Sequence, residues 1–259
     1  MISYCIVAYR PTYTRLLLED LVRKTSAPYE LLVWVNADDA SFDDYLRALG
    51  RNAPLTIVGR TPENVGMAAF SQLFAASRYQ LITQFDDDVV CVSRGMAERA
   101  ARLFDRFPRL RQIVADVWQD EFTTGARPPL AGYRSFDADE GLYEGPVDGW
   151  CSIYHRSILP LLASQPYATY FPLGGLVNRS LRQQRLQGLL CTRMKVFHVI
   201  GPEYASLFGM RELEMQKYQT LGRTNLVEWY AHPMPEATLP VLQARWAGIV
   251  RSLDGDGPS

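Results

Sequence analysis

Three consecutive carboxylates, Asp86, Asp87 and Asp88, directly follow a largely apolar run from Tyr79 to Phe85 that has the character of a buried strand. Like charges held together at the end of a buried strand repel one another unless a cation lies among them. Hard cations such as Mg²⁺ take carboxylate oxygens together with the phosphates of a substrate. The triplet therefore favours a site for a metal ion and a diphosphate over the alternative, a solvated acidic turn.

The elements around the triplet alternate between strands and helices. Strands are predicted over Ser3–Tyr9, Tyr29–Val35, Leu55–Val58 and Leu81–Phe85, and helices over Thr14–Lys24, over a short segment capped by Ser41, and over Met67–Ala76. This alternation predicts βαβ units and a parallel sheet. Ligands bind beyond the carboxyl ends of the strands in such sheets. No G-x-G-x-x-G follows the first strand, so the usual dinucleotide fingerprint is absent.

The second half of the chain is less regular. The pattern predicts helix Met96–Phe107, strand Gln112–Val117, strand Val147–Tyr154, helix Ser157–Ala163, helix Leu176–Gln187, strand Leu190–Val199 and one long helix Tyr204–Leu221. The polar stretch 119–145 is typical of an active-site loop. We expect one domain over residues 1–250, with a nucleotide half (1–118), an acceptor half (119–200), a C-terminal helical segment (201–250) and a disordered tail (251–259).

Composition limits the classes of function. The 259 residues are 47% hydrophobic and 21% charged, as in ordinary globular proteins, and a net charge of −1 does not indicate a nucleic-acid or anionic-membrane partner. The four cysteines are far apart and form no C-x-x-C pair, which favours buried free thiols. With no signal peptide and no apolar run of roughly 18 residues, we expect a cytoplasmic protein, which could be a homo-oligomer.

In order and spacing, the motifs resemble those of the GT-A glycosyltransferases, in particular family 2, over roughly residues 3 to 200. The matching segments are residues 9–15, residues 35–39, the Asn64-x-Gly66 turn, the triplet in place of a D-x-D motif, the strand at Gly149, Ser180-Leu181-Arg182, and His198 with Gly201. The resemblance implies a Rossmann-like α/β fold, with a mostly parallel central sheet flanked by helices and followed by C-terminal helices.

The resemblance also implies roles for individual residues. Metal ligation of Mn²⁺ or Mg²⁺ falls to Asp86, Asp88 and His198, although a purely structural role for the histidine stays open. Nucleotide-sugar binding falls to Ala8, Tyr9, Arg10, Asn36, Asp38, Asn64, Gly66, Asp86, Asp87, Gly149 and Trp150. The implied activity is metal-dependent transfer of a hexose from a UDP-, GDP- or dTDP-sugar to a hydroxyl of a glycan, a lipid-linked acceptor or a small molecule.

The general base is where this sequence departs from the family. Family 2 members commonly carry a Glu-Asp pair just before the basic helix, but Gly174-Gly175-Leu176-Val177 stands here. Asp148 is the best substitute as base, with hydrogen bonding to sugar hydroxyls as its alternative role. Asp120, Glu121 and Glu144 are the next candidates. The missing pair leaves both inverting and retaining outcomes open.

Two other functions are compatible with the same fold. A nucleotidyltransferase that makes nucleotide-sugars usually carries a Gly-rich loop after the first strand, and Arg10-Pro11-Thr12 contains no glycine. A non-catalytic binding module is favoured by the missing carboxylate pair, whereas the intact triplet and His198 argue against it.

Overall fold

A ten-stranded mixed sheet runs through the computed structural model, which describes residues 1–123, 127–147, 149–165, 167 and 173–255. Its strands are β1 (Ile2–Ala8), β2 (Tyr29–Val35), β3 (Leu55–Arg60), β4 (Leu81–Phe85), β5 (Val89–Val92), β6 (Leu110–Val117), β7 (Arg134–Asp137), β8 (Leu142–Glu144), β9 (Cys151–His155) and β10 (Gln187–His198). The helices are α1 (Pro11–Lys24), α2 (Ala40–Leu49), α3 (Phe70–Ala76), α4 (Met96–Arg106), α5 (Leu159–Ala163), α6 (Leu173–Gln183), α7 (Pro202–Leu207), α8 (Arg211–Thr220), α9 (Thr224–Ala231) and α10 (Thr238–Asp254).

The direction of the strands determines where a site can form. The strand order is β3-β2-β1-β4-β9-β6-β10-β8-β7, and β5 pairs with β10 beside this path. Strand β9 is antiparallel to both β4 and β6, and the neighbouring pairs of β1, β2, β3 and β4, and of β6 and β10, are parallel. Strands β1, β2, β3, β4, β6 and β10 therefore end at one edge, here called the carboxyl edge. This architecture confirms the predicted α/β fold with a mostly parallel sheet flanked by helices.

Most elements of the first half lie where the sequence predicted them, and β2 and β4 have the predicted bounds. Asp39 rather than Ser41 caps α2, because its side chain accepts a hydrogen bond from the Phe42 amide at 3.0 Å. The predicted helix from Met67 divides into a 3₁₀ turn, Gly66–Ala69, and α3. Strand β5 and the β7–β8 hairpin were not predicted, and the hairpin lies within the stretch expected to be a loop.

The single helix predicted over Tyr204–Leu221 is wrong, because the chain breaks it at Gly209. Gly209 adopts a φ of +69°, which favours glycine. The Met210 amide donates to the Ala205 carbonyl (2.7 Å) and the Gly209 amide to the Ser206 carbonyl (3.0 Å), the pairing of a Schellman motif. Helix α7 therefore ends here, and α8 starts in a new direction.

The C-terminal helices pack against β5 and β10. Phe197 of β10 has its ring centroid 4.7 Å from that of Tyr204 and 5.1 Å from that of Trp246, and all three belong to one apolar cluster that also contains Val90 and Cys91 of β5. This packing fixes the end of β10 and its neighbour β5. No helix among the described residues is long and apolar enough to cross a membrane.

An ion-pair cluster joins the end of α10 to α1 and β5. The Lys24 ammonium is 3.0 Å from a carboxylate oxygen of Asp20 and 3.0 Å from one of Asp254, and it donates to the Val92 carbonyl at 2.6 Å. Helix α10 thus continues to Asp254, beyond the start of the predicted disordered tail at 251; residues 256–259 lie outside the described part. The hydrogen bond from Arg23, then that from Lys24, lowers the pKa of Asp254 to about 2.

We expect Asp254→Asn to reduce the free energy of unfolding at pH 7 by about 1 kcal/mol, because it removes one charge from this cluster. A lowered pKa stabilises the folded state above the ordinary pKa of 3.8 and loses that contribution as the pH falls towards 2. The mutant should therefore approach the wild type in acid. Urea unfolding of both proteins at pH 7 and pH 3 measures this. Asp44→Asn is the control, since Asp44 pairs with Arg47 on an exposed helix face, and an equal loss there would refute the assignment.

Candidate metal centre and nucleotide site

The acidic triplet forms the turn between β4 and β5. The Val89 amide donates to the Asp86 carbonyl at 3.1 Å, and the Asp86 amide donates to the Trp150 carbonyl at 3.0 Å. Strand β5 pairs with β10, and this pairing places His198 opposite Val89, with a shift of register after Phe197. The backbone ladder therefore brings His198 next to the last carboxylate of the triplet.

Asp86, Asp88 and His198 each present one possible ligand atom, and these atoms lie within 4.8 Å of one another. The His198 Nε2 atom is 2.6 Å from Oδ1 of Asp88. Asp88 is buried, whereas Asp86 and His198 are half-buried. The structure thus brings together the three residues that the sequence singled out, and their role as ligands stays a prediction.

Arg10 connects the triplet to the C-terminal segment. Its guanidinium is only 2% exposed, and its Nε donates to Oδ2 of Asp87 at 2.7 Å while its Nη2 donates to Oδ2 of Asp88 at 2.9 Å. The remaining nitrogen, Nη1, pairs with Glu214 of α8. The sequence predicted Arg10 and Asp87 as nucleotide-binding residues. In the structure their side chains bind each other, and their role in nucleotide binding stays a prediction.

Carboxylates are concentrated in this cluster. Asp86, Asp87, Asp88 and Glu214 lie together with two cationic side chains, Arg10 and Lys217. Two carboxylates and one imidazole within reach of one another could hold a divalent cation such as Mn²⁺ or Mg²⁺.

Asp88 and His198 shift each other's pKa. Burial alone would lower the pKa of His198, but the charge and hydrogen bond of Asp88 outweigh burial and raise it. Burial alone would raise the pKa of Asp88, whereas His198 and Arg10 hold it well below the ordinary 3.8. Asp88 therefore favours a proton on His198, and this proton competes with a metal ion for the imidazole.

The predicted nucleotide floor lies at the ends of β1, β2 and β3. The Asn36 amide donates to the Ala8 carbonyl at 2.9 Å. The Asn36 side chain donates to Oδ1 of Asn64 at 3.1 Å, and the same oxygen accepts the Gly66 amide at 2.9 Å. Gly66 has a φ of +50°, a backbone conformation that side chains disfavour. These four residues form one hydrogen-bonded surface.

Tyr9 directly follows the end of β1, and Asp38 lies three residues beyond the end of β2. Tyr9 is half-buried and Asp38 is exposed. The structure therefore places both predicted residues at the carboxyl edge, where a nucleotide could reach them.

Gly149 and Trp150 precede β9 and belong to the interior. The Gln84 side chain donates to the Gly149 carbonyl at 2.9 Å, and a Cβ atom on Gly149 would lie 2.6 Å from the nitrogen of that side chain. Gln84 cannot easily move, because Tyr154 donates to its oxygen at 2.9 Å. The Trp150 indole is 5% exposed and donates to the Ala115 carbonyl at 2.7 Å. The Trp150 backbone contacts the triplet, because its carbonyl accepts a hydrogen bond from the Asp86 amide.

Asp148, the predicted base, lies outside the described residues, but its neighbours do not. A Cβ atom on Gly149 would lie 3.8 Å from the Gly174 amide nitrogen, and one on Gly175 would lie 3.7 Å from the Val147 carbonyl oxygen. Helix α6 begins at Leu173, earlier than predicted, so the two glycines are in its first turn. The two glycines therefore lie close to Val147 and Gly149.

The other carboxylates considered for the base already have partners. Asp120 accepts the Tyr204 hydroxyl at 2.7 Å and the Phe122 amide at 2.8 Å. Glu121 pairs with Arg245, and Glu144 pairs with Arg134. Each of these contacts stabilises the carboxylate without involving the metal cluster.

Two solved structures with a similar fold are glycosyltransferases. No protein-family model and no curated protein sequence matches the chain. The mannosyltransferase PcManGT from Pyrobaculum calidifontis, in complex with GDP-Man and Mn²⁺, is 13% identical with a TM-score of 0.59 over 97% of this chain and 72% of that one. S. aureus TarS (residues 1–349) with UDP-GlcNAc is 12% identical with a TM-score of 0.54, over 97% and 74%. The chain therefore has the GT-A-like fold that its sequence predicted.

A third similar structure, described only as a mycobacterial protein, is 18% identical with a TM-score of 0.51, over 86% of this chain and 75% of that one.

We expect His198→Gln to weaken Mn²⁺ binding about tenfold or more, as measured by calorimetry at pH 8. Because the pKa of His198 is raised, the Mn²⁺ affinity of the wild type should fall as the pH decreases from about 8 to about 6. The mutant should lose most of this dependence. His155→Gln is the matched control, because His155 ends β9 at the opposite edge of the sheet, opposite Leu81. Unchanged affinity in His198→Gln would leave His198 with a structural role.

Proposed function

We propose that this protein is a metal-dependent glycosyltransferase, which transfers a hexose from a nucleotide-sugar to an acceptor hydroxyl. The observation that carries the proposal is the cluster of Asp86, Asp88 and His198 at the carboxyl edge, with possible ligand atoms within 4.8 Å of one another. The fold supports it, because PcManGT and TarS share this fold and were solved with GDP-Man and UDP-GlcNAc.

In the proposed reaction, the cation and the side chains of the protein have different roles. A bound Mn²⁺ would neutralise the charge that develops on the leaving diphosphate. Asp86, Asp88 and His198 would hold the cation, and the contact from Arg10 keeps the carboxylate of Asp88 ionised and in place before the donor arrives. Groups that are positioned in advance need no reorganisation during the reaction, which is the main source of electrostatic catalysis.

The nucleoside part of the donor would lie on the floor formed by Ala8, Asn36, Asn64 and Gly66. The glycine lets a ligand approach the backbone closely, and the side-chain amide of the half-buried Asn64 could hydrogen-bond a ribose or a base. Tyr9 and Asp38 would contact the nucleoside from either side. This placement leaves the sugar towards Gly149 and the first turn of α6.

The general base that an inverting transfer requires would be Asp148. Its neighbours Val147 and Gly149 lie beside Gly175 and Gly174, in the segment where the resemblance to family 2 glycosyltransferases would place a Glu-Asp pair. Asp148 would take the role of that pair. It would take the proton of the acceptor hydroxyl as the oxygen attacks the anomeric carbon.

Binding of the nucleotide tests the metal centre. UDP or GDP with Mn²⁺ should raise the thermal midpoint of the wild type, because a ligand at about 100 times its Kd stabilises by about 2.7 kcal/mol. Asp88→Asn should abolish this shift, while Asp44→Asn, on an exposed surface, should retain it. A shift that is the same with EDTA as with Mn²⁺ would contradict a metal-dependent site.

Asp148→Asn should reduce the rate of sugar transfer by roughly 10²- to 10⁴-fold and leave UDP or GDP affinity unchanged. Turnover and nucleotide affinity of the same preparations measure this. Asp139→Asn, at an exposed position between β7 and β8, is the control. A selective loss of affinity for the nucleotide-sugar would instead show that Asp148 binds the sugar, and full activity would exclude it from the site.

The same assays separate the alternative functions. A nucleotidyltransferase would form a nucleotide-sugar from a nucleoside triphosphate and a sugar phosphate. A non-catalytic module would bind the nucleotide-sugar without either transfer or hydrolysis.

A further inference from the structure

Helix α8 extends the metal cluster from a part of the chain beyond the motifs that predicted the site. It contributes Glu214, which is 3% exposed, and Lys217, one turn further along the same face. Glu214 binds the buried guanidinium of Arg10, so the position of α8 is fixed relative to the triplet. The packing of α8 against the triplet therefore holds Lys217 beside Asp88.

The ammonium of Lys217 lies close to carboxylates without bonding to them. It is 4.0 Å from Oδ2 of Asp88 and 3.7 Å from Oε2 of Glu214, and its side chain is 23% exposed. Both distances exceed that of a hydrogen bond. Within the described part of the chain, no residue accepts a hydrogen bond from this ammonium. An ammonium carries three donors, so Lys217 can still bind an anion that arrives from solvent.

Lys24 shows how a structural lysine in the same chain differs. Its ammonium is 1% exposed, donates to the Val92 carbonyl at 2.6 Å and pairs at 3.0 Å with both Asp20 and Asp254. Those contacts satisfy the charge and the donors together. The charge of Lys217 is only partly compensated, its side chain is partly exposed, and its N–H groups donate to no residue of the described chain. These are the properties of a lysine that binds a ligand.

The geometry points to Lys217 as a ligand of the donor's diphosphate, on the opposite side of Asp88 from His198. This inference rests on the proposed function and extends it to the C-terminal segment. As the anomeric C–O bond breaks, the electron pair of that bond passes to the leaving diphosphate. The ammonium donates a hydrogen bond to the diphosphate oxygens and keeps its proton, while the acceptor's proton goes to the base. The Glu214–Arg10 pair positions Lys217 for this contact.

Removing the charge of Lys217 should have different effects on the affinity for Mn²⁺ and on the affinity for the diphosphate. A positive charge near the carboxylates repels Mn²⁺, so Lys217→Met should leave the affinity for Mn²⁺ alone unchanged or higher. The same substitution removes a charged hydrogen bond from the diphosphate, so the affinity for the diphosphate should fall. A lysine that only balances carboxylate charge would produce the first effect without the second.

Calorimetry with inorganic pyrophosphate at saturating Mn²⁺ tests this contact without assuming the nucleobase. We expect Lys217→Met to weaken pyrophosphate roughly ten- to hundredfold, and UDP or GDP by a similar factor. Lys217→Arg keeps the charge and should recover most of the affinity. Arg223→Met is the matched control, because it removes an exposed positive charge from the same segment. It should bind pyrophosphate as the wild type does.

Two results would overturn the inference. One is pyrophosphate affinity in Lys217→Met equal to that of the wild type at saturating Mn²⁺. The other is an equal loss in Arg223→Met, which would indicate a general effect of net charge. A wild type that binds Mn²⁺ and pyrophosphate but neither transfers nor hydrolyses a nucleotide-sugar would refute the proposed function and leave the Lys217 contact standing.

Discussion

The buried guanidinium of Arg10 is the interaction on which the candidate site depends. A charge taken out of water is tolerated only when carboxylates surround it, and removing one partner of such a buried pair typically costs about 3–5 kcal/mol. Asp87 and Asp88 come from the turn after β4, and Glu214 comes from α8. One side chain thus joins the first strand, the acidic turn and the C-terminal segment. Movement of any of the three would expose an unpaired charge.

The sequence predicted the parts of the site that depend on local patterns. The stretch 79–88 predicted both strand β4 and a metal site, because three carboxylates at the end of a buried strand repel one another unless a cation lies among them. Asn36 and Asn64 follow consecutive parallel strands, and the carboxyl ends of such strands lie at one edge of the sheet, where ligands bind. The predicted strands were therefore enough to place both residues near the site. His198 entered through the resemblance alone. Its approach to Asp88 depends on a β5–β10 ladder that has no local signal.

The residues that the sequence did not reveal are those whose roles depend on distant partners. Charged side chains such as Glu214 and Lys217 normally face solvent on a helix, and only the path of α8 makes them part of the cluster. Gly209 did carry a signal, because a glycine within a helical pattern can end a helix. The surrounding pattern continued through it, so the break was missed. Trp150 was assigned to nucleotide-sugar binding through the resemblance, and its buried indole donates a hydrogen bond to the Ala115 carbonyl.

The contact between Asp88 and His198 also determines when the centre can form. The two residues are 110 positions apart, and contacts of such separation form only after a large loop has closed. During synthesis the triplet emerges long before β10 exists to pair with β5. In the newly made first half of the chain, the carboxylates of the triplet therefore lack His198. Arg10 lacks Glu214 at the same stage, so the candidate metal site is incomplete. Tight binding of a metal ion would consequently indicate that the chain has folded completely, through α8.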